Sequence, residues 1–460
     1  MNEQESFRDH ISTVNDKGKR VWVYPKKQKG RYYRARTILS VFLLAFLFGA
    51  PFIKMNGHPF ILINFLERKF ILFGFVFGPQ EFYLLVLATI SVLVFIVLFT
   101  AIYGRLFCGW VCPQTVFMEM VFRKIEYWIE GDAAQQRALD KAPWNGNKIF
   151  KKFSQELIFF LIAFLIGNTF IAYIVGTDRL FSVINQPPTE HLNAFIAVFV
   201  FSGLFYFVFS KFREQACVIV CPYGRLQGVL LDPNTVVVAY DNVRGEPRGK
   251  LETPKTTGDC IDCHLCVAVC PTGIDIRNGT QLECVNCTSC IDACDSIMDK
   301  VKFPRGLIRY ASMNSIKDKS KFKITPRIIG YSVILTLLLT VLITLGSMRT
   351  EIDSTIFRAP GKLYQEQADN KISNLYMVKL VNNTYKDVPI QIKINNPDAE
   401  LKIIGKDISL PELSVTETEF LILIPKDKIK TTLIPLTLQV IADGKVLNEI
   451  KTNFLGPNKQ

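Results

Sequence analysis

Five apolar runs without a charged side chain punctuate this sequence: Thr37 to Ile53, Phe82 to Gly104, Leu157 to Gly176, Leu192 to Ser210 and Ile328 to Gly346. About 20 apolar residues cover the roughly 30 Å hydrocarbon core of a bilayer, so each run predicts a membrane-spanning helix. Between the first two, Pro59 to Phe77 holds two shorter apolar runs split by Glu67-Arg68-Lys69, neither long enough to span. That pattern predicts an interfacial or re-entrant segment. Beyond Arg349 the period changes: Leu375 to Val381, Ile390 to Ile394, Leu401 to Ile404, Glu419 to Ile424, Leu433 to Ile441 and Val446 to Phe454 read as strands. Turn signals at Asn395-Asn396-Pro397-Asp398, Gly405-Lys406-Asp407, Pro425-Lys426-Asp427 and Asp443-Gly444 separate them, as in an antiparallel β-sandwich of immunoglobulin-like type.

Charge then orients the helices. Residues 1–36 carry ten Lys and Arg, the loop 105–156 eight and the segment 211–326 sixteen, whereas 55–81 holds only Arg68 and Lys69, and 177–191 only Arg179. Basic loops stay on the cytoplasmic side, which predicts that the N-terminus and both basic segments are cytoplasmic and that the C-terminal domain is outside. The net charge of +13 follows from this bias against anionic headgroups, and no nucleic-acid partner is expected. The hydrophilic leader before the first run does not read as a cleavable signal peptide, and the first helix is expected to stay as an anchor.

Eight of the twelve cysteines fall in 35 residues, as Cys260-x2-Cys263-x2-Cys266-x3-Cys270-Pro271 and Cys284-x2-Cys287-x2-Cys290-x3-Cys294. Paired runs of this kind hold two [4Fe-4S] clusters, the last cysteine of each run crossing to the other cluster. Cluster I is therefore assigned Cys260, Cys263, Cys266 and Cys294, and cluster II Cys270, Cys284, Cys287 and Cys290. Asp295 stands where the first run has Pro271. Zinc sites use two C-x2-C pairs instead, and thiols on the reducing side of a membrane argue against disulfides. His264, inside the first loop, is expected to shield or hydrogen-bond a sulfide and not to replace a thiolate.

The other four cysteines form an internal repeat. Cys108-Gly-Trp-Val-Cys112-Pro113 follows the second run and Cys217-Val-Ile-Val-Cys221-Pro222 the fourth, each matched position offset by 109 residues. Two-helix repeats of one orientation bring both motifs to a common depth. The i, i+4 spacing puts the thiols of each motif on one helix face, with the proline marking a break or kink. Such a quartet holds a further iron-sulfur cluster or a soft metal such as Cu(I), or else packs as small hydrophobes; the repeat in register favours a metal or redox role. Arg105 and Arg225 flank the quartet, either stabilising thiolate charge or anchoring helix ends to headgroups. Downstream, Tyr223 to Leu231 reads as a short amphipathic helix, Asp232-Pro233-Asn234 as a turn, Val236 to Tyr240 as a strand and Arg244 to Gly258 as a linker. Phe303 to Lys323 reads as a basic connector to the fifth helix.

Several chemistries are disfavoured. None of the four histidines, His10, His58, His191 and His264, lies in an apolar run, so no haem ligand is in place. His58 and His191 read as solvated loop residues. No G-x-G-x-x-G opens a strand-to-helix turn, so electrons must come from a protein, a soluble carrier or quinol. Met377 is the one soft ligand of the C-terminal domain, which suits docking better than copper binding. The expected organisation is a multi-domain membrane protein: a basic segment 1–36, a four-helix α-helical repeat 37–231, a ferredoxin-type domain with linkers 232–326, a fifth transmembrane helix 327–348 and an outer immunoglobulin-like domain 349–460.

Taken together, the repeated Cys-Gly-Trp-Val-Cys-Pro and Cys-Val-Ile-Val-Cys-Pro-Tyr-Gly-Arg, the eight-cysteine segment, the fifth helix and the C-terminal β-domain resemble the cytochrome c oxidase accessory proteins of the CcoG/FixG/RdxA family. The resemblance covers nearly the whole chain. It implies a place in the bacterial inner membrane and a part in assembling cbb-type cytochrome c oxidase beside other biogenesis factors, by reducing Cu(II) to Cu(I). Electrons would enter the clusters on the cytoplasmic face from an unnamed donor and reach copper near Cys108, Cys112, Cys217 and Cys221. The same motifs also resemble membrane quinol dehydrogenase subunits, for which the sequence shows no quinol site. A third reading is a copper-binding scaffold with structural clusters.

Overall fold

The computed structural model describes residues 13–457 apart from 16, 56, 66–68, 79–80, 251–257, 320–322, 349, 351, 360–362, 368–369, 405–408, 413 and 443–444. The turns expected at 405–407 and 443–444, residues 251–257 of the linker 244–258, Glu67-Arg68 and His10 lie outside the described residues. The chain folds as two units, Met1–Ile53 with Ala88–Thr340 and Lys54–Leu87 with Val341–Gln460.

Among the described residues five helices are long and apolar enough to cross a membrane: α1 Arg31–Phe52, α2 Phe82–Tyr103, α3 Gly146–Val175, α4 Leu192–Phe212 and α5 Pro326–Ser347. All are longer than their apolar runs except α2, which stops one residue short, and α3 is extended most. Its first turns are polar, and its start is set by Asn145, whose Oδ1 accepts the Lys148 N–H at 2.9 Å. In the first unit α3 packs on α4 through small residues. A Cβ on Gly167 would stand 2.6 Å from Ser202 Oγ, so glycine is what lets the two backbones approach. Phe122 lies edge-on to Phe159 at 4.8 Å and stacks on Phe209 at 5.3 Å, all three buried. Each such aromatic pair contributes about 0.5–1.5 kcal/mol beyond its area.

The cysteine-rich loops are closed by a two-stranded antiparallel sheet in which Val237–Tyr240 pairs with Ile308–Ala311. The stretch expected as a plain connector, 303–323, therefore supplies a strand and then the helix Met313–Lys317, capped by Ser312. Leu307 and Ile308 are buried against Val238, Ile276, Ile291 and Met298. A basic composition hid this short apolar strand.

In the second unit two sheets face each other. One runs Glu400–Ile404, Val415–Pro425, Lys371–Asn382, Ile352–Arg358, with Gln365–Glu366 also paired to Lys371–Asn382. The other runs Ser409–Leu410, Val388–Ile394, Leu433–Ala442, Lys445–Leu455. Every pair is antiparallel. Alternate residues Tyr376, Val378, Leu380 of one sheet and Leu436, Leu438, Val440 of the other fill the space between them, as the period of two requires. Tyr376 stacks on Phe420 at 5.6 Å and donates its O–H to Asn453 O at 2.9 Å, tying the sheets together. Residues 59–77 are not a re-entrant segment: Ile61–Asn64, Lys69–Leu72 and Phe75–Phe77 form a three-stranded antiparallel sheet within this unit. Leu62, Ile71 and Val76 bury one face of it with Tyr385, whose O–H donates to Gly74 O at 2.5 Å. An apolar residue at nearly every position masks the alternation.

Candidate iron-sulfur and thiol site

The two cysteine loops wind alike. Asp262 and His264 have φ of 54° and 52°, and Asn286 and Thr288, at the matching places beside Cys287, have 53° and 66°. Left-handed residues alternating with right-handed ones turn successive backbone N–H groups inward, a concavity that suits anionic sulfur. Each loop then enters a helix, Leu265–Ala268 or Ser289–Lys300. The two loops bound two cavities. Cys260, Cys263, Cys266 and Cys294 line the first, with His264 and Arg277. Cys270, Cys284, Cys287 and Cys290 line the second, joined by Cys266 and otherwise by neutral side chains such as Val238, Ile274 and Val285. Among the described residues no three His, Cys, Asp or Glu groups stand close enough to chelate one ion. Thiols that ring a cavity without meeting at a point suit a multi-atom cluster, so the residues fit [4Fe-4S] groups. Burial pushes Cys266, Cys284 and Cys294 up to about 12, so at neutral pH they are thiols unless a bound metal draws off the proton.

The environments of the two cavities differ. Cys263 is exposed at the first. Arg277, nearly fully buried there, pairs with Asp262, with Asp275 at 2.6 Å and with His264 Nδ1 at 2.8 Å, which holds the loop shut. At the second, Cys287 and Cys290 are buried, as Cys260 and Cys266 are at the first, but none of its four cysteines is exposed.

The four remaining cysteines converge. Cys217 senses Cys112, Cys108 and Cys221, and Cys112 senses Cys221, so all four thiols lie within electrostatic range. Burial pushes Cys217 up to about 12 and raises Cys108 and Cys112 as well. The thiols of each motif do not share one continuous helix face, however. Cys108 sits in the helix Leu106–Trp110, while Cys112 is extended (ψ 125°) and caps the next helix at Pro113; Cys221 is extended (ψ 111°) and caps Pro222–Leu230. Proline forces its predecessor out of the helical region. Both motifs close alike: Cys112 N–H donates to Phe107 O at 3.0 Å and Cys221 N–H to Ala216 O at 2.8 Å, five residues back in each repeat.

Three buried polar residues join the quartet to the second cavity. Cys108 packs against Val285 and Cys287. Arg36 of α1, 4% exposed, donates from Nε to Gly109 O at 3.1 Å and from its guanidinium to Cys287 O at 2.9 Å. A Cβ on Gly109 would lie 2.4 Å from Val285 O, so only glycine permits this contact. Arg105 is not a headgroup anchor: it is 4% exposed, donates to Gln227 Oε1 at 2.7 Å and reaches Leu282 O beside the second loop. Arg225, by contrast, is exposed. Gln227, fully buried, also accepts from Cys108 Sγ at 3.4 Å. Arg36 and Gln227 escaped sequence reading because their partners lie far along the chain. Of the loop histidines, His58 lies 3.5 Å from Glu412 and His191 hydrogen-bonds Gln186.

Two cysteine-lined cavities, a thiol quartet and five apolar helices define a membrane protein of the iron-sulfur class. The family models agree: a 4Fe-4S dicluster domain matches residues 212–313, a 4Fe-4S binding domain residues 85–131, and the IG-like fold at the C-terminus of FixG, putative oxidoreductase, residues 342–457. The chain is 31% identical to nitrogen fixation protein FixG of Rhizobium meliloti, over 84% of this chain and 82% of that protein. It is 34% identical to protein RdxA of Cereibacter sphaeroides (81% and 82%) and 33% to protein RdxB of the same organism (87% and 87%). The chain belongs to the FixG/RdxA family.

Proposed function

We propose that this protein is a cupric reductase serving assembly of cbb-type cytochrome c oxidase. Cys260, Cys263, Cys266 and Cys294 would hold one [4Fe-4S] cluster, and Cys270, Cys284, Cys287 and Cys290 the other. When bound, the clusters supply one-electron storage and transfer. The observation that carries the reading is the packing of Cys108 on Val285 and Cys287, which leaves no solvent layer between the quartet and the second cluster cavity. Cys108, Cys112, Cys217 and Cys221 would receive Cu(II) as substrate. Their thiolates favour Cu(I), raising the copper potential where reduction occurs. Because among the described residues no three groups form a ready single-ion chelate, copper would meet the thiols in pairs, a coordination number Cu(I) accepts and Cu(II) resists. Arg36 and Gln227 keep the two sites in register, and Arg105 places a buried positive charge beside the thiols.

The test is to reduce the purified protein anaerobically with dithionite, remove the excess, add Cu(II) and trap Cu(I) with a colorimetric chelator. Stoichiometric Cu(I) is expected; no more than the cluster-free protein produces would exclude the reading.

We also propose the inner-membrane orientation that the Lys and Arg distribution supports, with the cluster domain cytoplasmic and the β-sandwich outside. A reporter joined after Gln460 is expected to work only if it is active outside the cytoplasm, and one inserted at Thr256 only if it is active inside. Signal from one compartment at both positions would reject this topology.

A further inference from the structure

The first cluster cavity reaches the surface at Cys263. That cysteine is exposed, and the side chains on either side of it, Asp262 and His264, are 44% and 63% exposed. The quartet makes no use of this edge, because it adjoins the second cavity through Cys108, Val285 and Cys287. Electron transfer weakens steeply with distance, so an exposed ligand edge is where a cluster can exchange electrons with a molecule that the chain does not hold.

Contacts between distant stretches gather one surface around that edge. Gly249 N–H donates to Cys260 O at 3.2 Å, which seats Lys250 beside the first loop. Asp259 N–H donates to Arg244 O at 3.0 Å, and the Arg244 guanidinium reaches Pro304 O and, at 3.2 Å, Arg305 O. Arg305 pairs with Asp299 at 2.7 Å, near the end of the helix Ser289–Lys300, whose Cys294 and Ile297 line the cavity. Residues 244–250, 259–264 and 299–305 therefore meet around the same cluster site.

On that surface the carboxylates are already paired. Glu246 meets Arg248 at 2.7 Å, Asp259 meets Arg244, Asp299 meets Arg305, and Asp262 shares Arg277 with Asp275. Lys250, Lys300 and Lys302 are exposed and have no ion partner among the described residues. Four arginines thus face five carboxylates, and the three lysines turn the balance positive. None of the three lysines lines the cavity itself. A small anion entering the cavity would meet none of them, whereas a protein face bearing carboxylates meets them on the rim.

We infer that this rim is the docking surface for a small acidic protein that carries a single electron. The inference rests on the electron-transfer reading of the cysteine loops and is independent of copper as the final acceptor. Opposite charge steers the carrier to the lysines and sets its redox centre against Cys263. The carrier is oxidised by one electron and the first cluster site is reduced by one; no proton moves and no bond breaks. A second carrier delivers the next electron in the same way.

The test uses the whole protein in phosphatidylcholine nanodiscs, with plant-type ferredoxin, an acidic one-electron carrier, as the probe. Oxidised ferredoxin is expected to bind saturably by calorimetry. Raising the salt from about 0.02 M to about 0.5 M shortens the screening length from roughly 20 Å to about 4 Å and is expected to weaken binding at least about tenfold. Lys300→Glu is expected to weaken it several-fold, and Lys250→Glu, Lys300→Glu and Lys302→Glu together at least about tenfold. Lys141→Glu, the same charge change at the exposed end of the helix Ala133–Lys141, is expected to leave binding in place. All four lysines are exposed, so bound iron should stay unchanged. Anaerobic stopped-flow with reduced ferredoxin is expected to rank the variants in the same order by the bleaching of cluster absorbance, while dithionite at high salt reduces every variant alike. Binding that is absent, indifferent to salt, or weakened equally by Lys141→Glu and Lys300→Glu overturns the inference. If ferredoxin neither binds nor reduces a protein that dithionite reduces fully, the docking surface alone falls. If ferredoxin binds through the lysines and neither it nor dithionite reduces the protein, the surface stands and the electron-transfer reading falls.

Discussion

Replacing Cys287 by alanine is expected to halve the iron bound by anaerobically purified protein, from about eight atoms per chain to about four. Cys287 lines the second cavity, its carbonyl accepts from Arg36, and its side chain packs on Cys108. Removing the thiol takes one corner from cluster II and leaves the ligands of cluster I intact. The matching change at Cys263, which lines the exposed first cavity, is expected to remove the other half and to leave the Arg36 contacts undisturbed. Iron and sulfide assays with EPR of the reduced protein check both. Iron unchanged in either variant would reject the assignment of these thiols, and wild-type iron near twelve would place a third cluster on Cys108, Cys112, Cys217 and Cys221.

How far the sequence reveals this architecture depends on the range of the interactions. The five apolar helices are legible because a bilayer-length run is a property of one segment. Six strands of the β-sandwich are legible because turn residues bracket them, whereas the edge strand Ile352–Arg358 lacks such brackets and its exposed positions blur the alternation. The sheet at 61–77 misleads for the opposite reason: nearly every residue is apolar, so strands buried on one face read like an interfacial or re-entrant membrane segment. The repeat of the C-x3-C-P motifs predicts the break at proline. The extended cysteine before each proline follows from the same steric rule, although spacing alone suggests an unbroken helix face. What no local pattern contains is the joint between quartet and cluster loop. Arg36 reads as one more basic residue of the leader until its guanidinium meets Gly109 O and Cys287 O, 73 and 251 positions away. Gln227 reads as the polar side of a short helix until it is found fully buried between Arg105 and Cys108.

Serine at both Cys108 and Cys112 is expected to leave cluster iron unchanged and to lower copper reduction by at least about tenfold, because serine keeps the size of the side chain and loses the soft donor. Serine at Cys217 and Cys221 is expected to do the same. The fourfold variant should lose little more than either pair, since groups that act as one site are not additive. The structure adds a reason for expecting a larger effect from the first pair than from a random buried thiol. Cys108 is the member of the quartet that packs on Val285 and Cys287, whereas Cys112 lies within electrostatic range of Cys221. Single changes should therefore separate two roles: Cys108→Ser slows delivery of electrons with copper still held, and Cys112→Ser weakens the hold on Cu(I) itself. Copper binding by equilibrium competition and single-turnover Cu(I) formation measure these apart. Full copper reduction by the fourfold variant would remove copper from the quartet and leave the exposed Cys263 edge of the first cavity as the place where metal meets electrons.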